Sequence, residues 1–580
     1  MSSTDPSSTL VQAPPPIVAQ LRNASGIAID VLENGSIFAI RHGDILVNQV
    51  LGSPLEGGLG NLFLRRRRRA GIESRPLLGP AAAGRFRASG GGAAWEGSFD
   101  GLDYVCTLRL AETDATWYWT VAVSNTTARR VSIDVVLAQD LGIAQEAAVR
   151  TSELYTSQYI DHTVVDDAAL GLLLCSRQNL PQDGAFPWVM HGCLAGSVGY
   201  LTDGFQFHGL ASKASGTPAA LTRRTLPNRT YQYELALPTL QSRAVSLTSG
   251  ASTEITFFGA FEADHPAASG SRDVRHARAA GGAFRGLSSR AIEPPPEPRS
   301  SSLFDRPALF QSDDLTTAEL ETTFGTDWRH VERGNGTLRS FFHGDQQHVV
   351  LKAKELIQER PTGHVLRSGR ELLPSDATLS VTAWMFGVFA SQLTIGNTSF
   401  HKLLSVCRSP LNVLKSSGLR IFIRTDRGDE LLGVPSAFEM GPSGAAWLYR
   451  DRRLSITIRL AVSIEEPVCR LTVDVEQGGP IELVICHNIV LGEHEFDPVG
   501  PIVIHDADGR IELRPDATSL LGRRYPEASF AITSDPGRIA AIGGDGLLYA
   551  DGIERGGPFV VIRTKPLEHF TVTYSGDLLD

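Results

Sequence analysis

This sequence has no CxxC pair, no HExxH, no nucleophile elbow, no phosphate-cradling glycine loop and no EF-hand run. Redox, metalloprotease, serine-hydrolase, nucleotide-binding and calcium-loop chemistry therefore lack their usual signatures. The six cysteines, at 106, 175, 193, 407, 469 and 486, are scattered singly, several inside apolar runs such as YVCTLRL and ELVICHN. Free buried thiols are expected, and no metal or other cofactor. No apolar run approaches the 18 residues of a membrane span. The start, MSSTDPSSTLVQAPPP, lacks the basic end and apolar centre of a secretory signal. Residues 1–24 are expected to form a disordered tail, and the location to be cytoplasmic.

Excess positive charge is also missing. The net charge of −10 gives no pull toward nucleic acid or an anionic membrane, and neither is expected as a partner. The exception is Arg65-Arg66-Arg67-Arg68-Arg69, which could grip phosphates. No aromatic residues interleave with it, and a solvated loop between two strands is the expected state. Successive amphipathic helices, as a helical barrel requires, are absent up to Asp580.

What is present is strand, and the strands echo. Residues 92–143 read GAAWEGSFDGLDYVCTLRLAETDATWYWTVAVSNTTARRVSIDVVLAQDLGI, and residues 444–492 read GAAWLYRDRRLSITIRLAVSIEEPVCRLTVDVEQGGPIELVICHNIVLG. Each begins at a Trp (Trp95, Trp447), alternates through strands to a short turn, and closes on Leu-Gly. One large β unit thus occurs twice. Asn34-Gly35 is a hairpin cue. A first antiparallel sandwich is expected over 25–262. The Ala/Gly/Arg/Ser/Pro-rich stretch 263–302 opens a linker that runs to 335, with a short helix after Asp313-Asp314. A second sandwich is expected over 336–580.

Three clusters carry candidate chemistry. Glu153–His162 breaks the strand alternation: Tyr155 and Tyr159 offer stacking faces, while Gln158, Asp161 and His162 offer partners for sugar hydroxyls. The same pattern fits a loop whose hydroxyls and Asp tie it to the core. Gln178, in Ser176–Asn179, precedes Trp188 and His191, which could line the same groove or anchor the packing. In the run 382–400, Trp384, Gln392 and Asn397 stand among apolar residues, and Gly396-Asn397-Thr398-Ser399 has the composition of a shaped turn.

Longer strings carry a resemblance. EGGLGNLFLR, ELYTSQYIDH, SRQNLPQDGAFPWVMHG, TDGFQFHGL, ITFFGAFEADHP, TAWMFGVFASQLTIGNTSF and LLGVPSAFEMGP resemble the N-terminal β-sandwich regions of glycoside hydrolase family 94, formerly glycosyltransferase family 36. The nearest types are the 1,2-β-oligoglucan phosphorylases and the related part of cyclic β-1,2-glucan synthases. The resemblance implies a mainly β chain of two tandem galactose-mutarotase-like super-sandwiches. It implies a β-linked glucooligosaccharide as ligand, and inverting phosphorolysis to α-glucose 1-phosphate as the family's reaction. In that family the general acid and phosphate site lie in an (α/α)6 barrel, which this sequence does not contain, so no catalytic residue is carried over. A carbohydrate-binding and assembly region is expected. The alternative is a subunit of a split phosphorylase or glycosyltransferase completed by a separate barrel chain. A homodimer is a further implied partner.

Overall fold

The computed structural model describes residues 7–578 except 83, 90, 152, 233–234, 288–291, 293–299, 372, 397–401, 408, 493, 496 and 498. The chain divides into two compact units. One comprises Pro15–Ser212 and Thr217–Ser301; the other comprises Met1–Pro14, Lys213–Gly216 and Ser302–Asp580.

The first unit holds a large, almost wholly antiparallel sheet and a five-stranded sheet. Alternation dictates the pairing. In Thr116–Asn125, Trp117, Trp119, Val121 and Val123 point into the core, together with Trp95 and Cys106 of the neighbouring strands. Ile27, Ile29, Val31 and Ile40 of the smaller sheet close the same core from the other side. Asn34-Gly35 does turn a hairpin, between Ile27–Leu32 and Ile37–His42. Gly35 has φ +73°, and a Cβ there would lie 2.9 Å from the Trp95 indole nitrogen, so only glycine fits.

The second unit is built from a twelve-stranded and a ten-stranded sheet. Trp447, Tyr449, Ile456 and Ile458 of one share a core with Ile421, Ile485, Val560 and Ile562 of the other. The helix after Asp313-Asp314 is Thr317–Phe324. It starts on a capping box, in which Thr316 and Glu319 satisfy each other's backbone N–H groups. It buries Leu320 and Phe324.

The echo is a repeated topology. Gly92–Phe99, Leu102–Leu110 and Thr116–Asn125 form an antiparallel meander; so do Gly444–Arg450, Ser455–Val462 and Val468–Gln477. In each unit the third meander strand then pairs with the unit's last strand, Ser252–Glu262 or His569–Asp577. Both landmark tryptophans are buried, and each satisfies its indole N–H on a backbone carbonyl: Trp95 on Gly35 at 2.8 Å, Trp447 on Trp384 at 3.0 Å.

Three sequence expectations are corrected. The 1–24 segment carries two strands, Ser7–Leu10 and Ile17–Arg22. The first pairs with Ile502–His505 at the edge of the twelve-stranded sheet, a partner no local pattern reveals. The arginine run is not a loop, because Arg65–Arg67 end the strand Asn61–Arg67. Arg65 is fully buried in a two-pronged pair with Asp134 (2.6 and 3.0 Å), and Arg67 reaches the same carboxylate at 2.7 Å. Arg66 and Arg68, on the opposite face, meet Asp100. Strand alternation thus splits one run into two ion-pair clusters. Inside the expected linker, Val274–Gly286 is a helix that buries Val274, Ala277 and Ala280 in the first unit. All six cysteines are free, five of them buried.

Candidate functional site

In the first unit, a short helix Glu153–Ser157 carries Tyr155 and precedes the strand Ile160–Asp167, with Tyr159 in the turn between them. Tyr155 is 48% exposed and Tyr159 half-buried. Their rings meet edge to face at 5.0 Å, and the Tyr159 hydroxyl donates to that of Tyr155 at 3.1 Å. That hydrogen bond also holds the Tyr159 proton more firmly than usual. Gln158 is exposed, and its carbonyl accepts from Gln232 Nε2 at 3.3 Å. The adjoining Tyr231 is 48% exposed, with its backbone tied to Thr202 at 2.8 Å. Asp161, half-buried, sits opposite Arg177 in the strand pair. The patch therefore combines stacking rings with amide and carboxylate groups, the chemistry that binds sugar rings and their hydroxyls. Tyr231 and Gln232 were missed because TYQYELAL alternates like a strand, whereas the strand begins only at Ala236.

The remaining first-unit candidates are core residues, and that is a correction. Gln178 is fully buried: its amide donates to the Gly142 and Thr156 carbonyls and accepts from Leu180 N–H. Trp188 is fully buried, lies flat on His265 at 4.8 Å and donates to Ser269 Oγ at 2.9 Å. His162, 8% exposed, bonds Ser176 Oγ at 2.9 Å. His191, 1% exposed, packs edge-on against Trp117 with neither ring nitrogen bonded. Burial disfavours charge on both rings, lowering His162 to about 4 and His191, further repelled by His162, to about 3. None of these four presents a polar face to a ligand.

In the second unit, Trp384 ends the strand Leu379–Trp384, half-buried and stacked on Phe386 at 5.9 Å. Gln392 lies in Val388–Ile395, where the pairing with Leu379–Trp384 slips twice. Its φ is +48°, left-handed and unusual for a side chain of this size. The irregularity turns Gln392 toward an open pocket of about 580 Å³, shared with Asp376, Ser380, Thr382, Thr394 and Arg524. Trp384 does not line it. Asn397 lies outside the described residues. The structure thus places the tyrosine patch and the Gln392 pocket on separate units.

Among the described residues no helix is long and apolar enough to cross a membrane. Residues 30–259 match the model of the SOGP N-terminal domain, and residues 327–576 match that of the glycoside phosphorylase supersandwich domain. A 1,2-beta-oligoglucan phosphorylase of Listeria innocua serovar 6a is 33% identical over 501 residues, which is 86% of this chain. The chain spans only 44% of that relative's length. Solved structures are more distant. A bacterial glucoamylase complexed with acarbose is 10% identical, with TM-score 0.31, over 49% of this chain and 37% of that one. A galactose 1-epimerase from Lactobacillus acidophilus is 12% identical, with TM-score 0.25, over 42% of this chain and 94% of that one. The assignment rests on the two domain matches. By them, this chain carries an SOGP N-terminal domain followed by a glycoside phosphorylase supersandwich domain, the arrangement that the resemblance to the N-terminal region of glycoside hydrolase family 94 implies.

Proposed function

We propose that these two units form the sugar-contacting and assembly region of a phosphorylase acting on β-1,2-linked glucooligosaccharides. The Tyr155–Tyr159 patch serves as a contact surface for the oligosaccharide. The observation that carries this reading is the mutually oriented tyrosine pair, Tyr155 exposed and Tyr159 half-buried, beside Gln158 in a chain that carries an SOGP N-terminal domain. Bond cleavage needs a general acid and a phosphate site. Those belong to the part of the enzyme that corresponds to the rest of the relative's length, whether it is carried in the same protein or by a partner chain.

Stacking on one aromatic face and a few net hydrogen bonds contribute about 1 kcal/mol each. After the cost of ordering an oligosaccharide on an open surface, roughly millimolar affinity remains. The test is titration of the chain with β-1,2-glucooligosaccharides, followed by calorimetry or chemical-shift mapping. Tyr155→Ala and Tyr159→Ala are each expected to weaken binding by about 1–2 kcal/mol without lowering the melting temperature. The chain alone, given phosphate and the same sugars, is expected to release no glucose 1-phosphate. Wild-type affinity in both tyrosine variants would overturn the contact role. Glucose 1-phosphate above the no-protein control would overturn the division of labour. The pocket around Gln392 is a second reading, favoured by its left-handed backbone; Gln392→Ala, and not the tyrosine variants, would then reduce binding.

A further inference from the structure

The segment that joins the first unit's last strand, Ser252–Glu262, to the helix Val274–Gly286 brings two of its residues together with one from the helix's first turn, a cluster the sequence did not suggest. One donor atom each of His265, Asp273 and His276 lies within 4.8 Å of the other two. His265 and Asp273 are buried and His276 is half-buried. The hydrogen bonds around them decide what the cluster can hold. His265 Nδ1 lies 2.8 Å from the Ala267 carbonyl, which only accepts, so Nδ1 carries the proton. In the neutral ring, Nε2 then presents a lone pair to Asp273 Oδ1 at 3.1 Å, itself an acceptor. Two acceptors at that distance call for a cation or a second proton between them. The other carboxylate oxygen of Asp273 is held by Gly270 N–H at 2.8 Å, which leaves Oδ1 to face His265.

His276 repeats the arrangement. Its Nδ1 lies 3.1 Å from Glu262 Oε1, so the N–H points at a carboxylate and the lone pair is on Nε2. A cationic donor is already there: the exposed Arg275 donates its Nε–H to His276 Nε2 at 3.2 Å. The indole of Trp188 fixes both rings, flat on His265 at 4.8 Å and tilted against His276 at 4.9 Å. Each of the three side chains is thus oriented by a different neighbour, His265 through Nδ1, Asp273 through Oδ2 and His276 through Nδ1, and His276 Nε2 is held by Arg275. This is how outer groups set metal-binding histidines.

We propose that His265, Asp273 and His276 bind one divalent transition-metal ion of the zinc class, with Glu262 orienting His276. Two imidazoles and a carboxylate suit zinc, cobalt or nickel; calcium and magnesium take all-oxygen sets. A tetrahedral site with bonds of about 2.1 Å separates its donors by about 3.4 Å. The His265–Asp273 edge, at 3.1 Å, is already close to that. Binding requires the half-buried His276 ring to move in and Arg275 to swing into solvent, one cation replacing another. Water completes the coordination on the open side. The ion would fasten the helix Val274–Gly286 to the end of the strand Ser252–Glu262.

The test uses the full chain stripped with a chelator, titrated with Zn²⁺ by calorimetry and with Co²⁺ by visible absorption. One ion per chain is expected, with the intense d–d bands of a tetrahedral Co²⁺ site. His276→Gln alters a half-buried side chain, so it is expected to keep the metal-free melting temperature and to weaken binding by about 100-fold. Glu262→Gln is expected to weaken it by about 10-fold, the smaller loss of an orienting group. His569→Gln is the control: that exposed ring pairs with Asp474 at 2.7 Å but forms no three-ligand group among the described residues. It is expected to bind like wild type. Absence of a 1:1 site in the wild type, or equal affinity in wild type and His276→Gln, would overturn the proposal.

Discussion

His191 offers the sharpest test of the first unit's core. It sits in Trp188–Cys193 with both ring nitrogens unbonded, and burial lowers its pKa to about 3 against an ordinary value of about 6.5. Between those values the unfolded chain binds a proton that the folded chain refuses. Stability is therefore full above about pH 6.5 and lost as the pH falls toward 3. At about pH 5 the gap is about 1.5 pH units, or about 2 kcal/mol, at 1.36 kcal/mol per unit. His162, lowered to about 4, adds about 2 kcal/mol in the same direction. His191→Met removes the first contribution and leaves the second. Whatever the exchange costs in packing is the same at both pH values and cancels in the comparison. So does the opposing effect of Asp140, whose buried carboxyl is raised to about 6. Urea unfolding at about pH 7 and about pH 5, read by hydrogen exchange of the Trp188–Cys193 amides, isolates the first unit. The variant is expected to lose about 2 kcal/mol less than wild type between the two pH values. Equal losses would refute the account of a neutral, unpartnered His191.

Two further outcomes follow from buried charge. Asp134→Ala strands Arg65, which has no exposure, and should cost about 3–5 kcal/mol in urea titration; a loss under about 1 kcal/mol would mean the pair carries little. Asp545 is raised to about 7 by burial and by its hydrogen bond to Glu554. The folded second unit therefore holds a proton that the unfolded chain releases near pH 4. Its contribution is full below about pH 4 and lost as the pH rises through 7. Asp545→Asn should accordingly flatten the decline in melting temperature between about pH 5 and 8, and an unchanged slope in differential scanning calorimetry would refute this.

The repeated unit was legible because its signal is local. A buried Trp, alternating strands and a turn recur in order, and the strands form where the alternation lies. The arginine run was misread because its partner, Asp134, is on another strand; five identical residues show no alternation until that neighbour is known. The helix Val274–Gly286 hid behind Gly281-Gly282 and its arginines, although Val274, Ala277 and Ala280 mark one helical face. At the candidate site, composition offered Tyr155, Gln158 and Tyr159 but could not separate these residues at the surface from the buried Gln178, Trp188 and His191. Polar and aromatic residues look alike in sequence whether they face water or satisfy a core. The cluster proposed to hold a metal was missed because His265, Asp273 and His276 follow no familiar spacing; a histidine shortly after a strand, then Asp and His one helical turn apart, was the available signal.

The placement of each unit's final strand governs how the chain can assemble during synthesis. Thr116–Asn125 lacks its inner neighbour until Ser252–Glu262 has been made, and Val468–Gln477 waits likewise for His569–Asp577. Each sheet is therefore open at its middle until late, with unpaired backbone on a wide apolar face. Ser7–Leu10 waits longer still, for Ile502–His505. At about 5–20 residues per second, on the order of 25 to 100 s separates the emergence of these two partners. Folding dominated by such distant pairings is slow. While it proceeds, the nascent first unit is the species most open to chaperone capture or to pairing with another copy of itself.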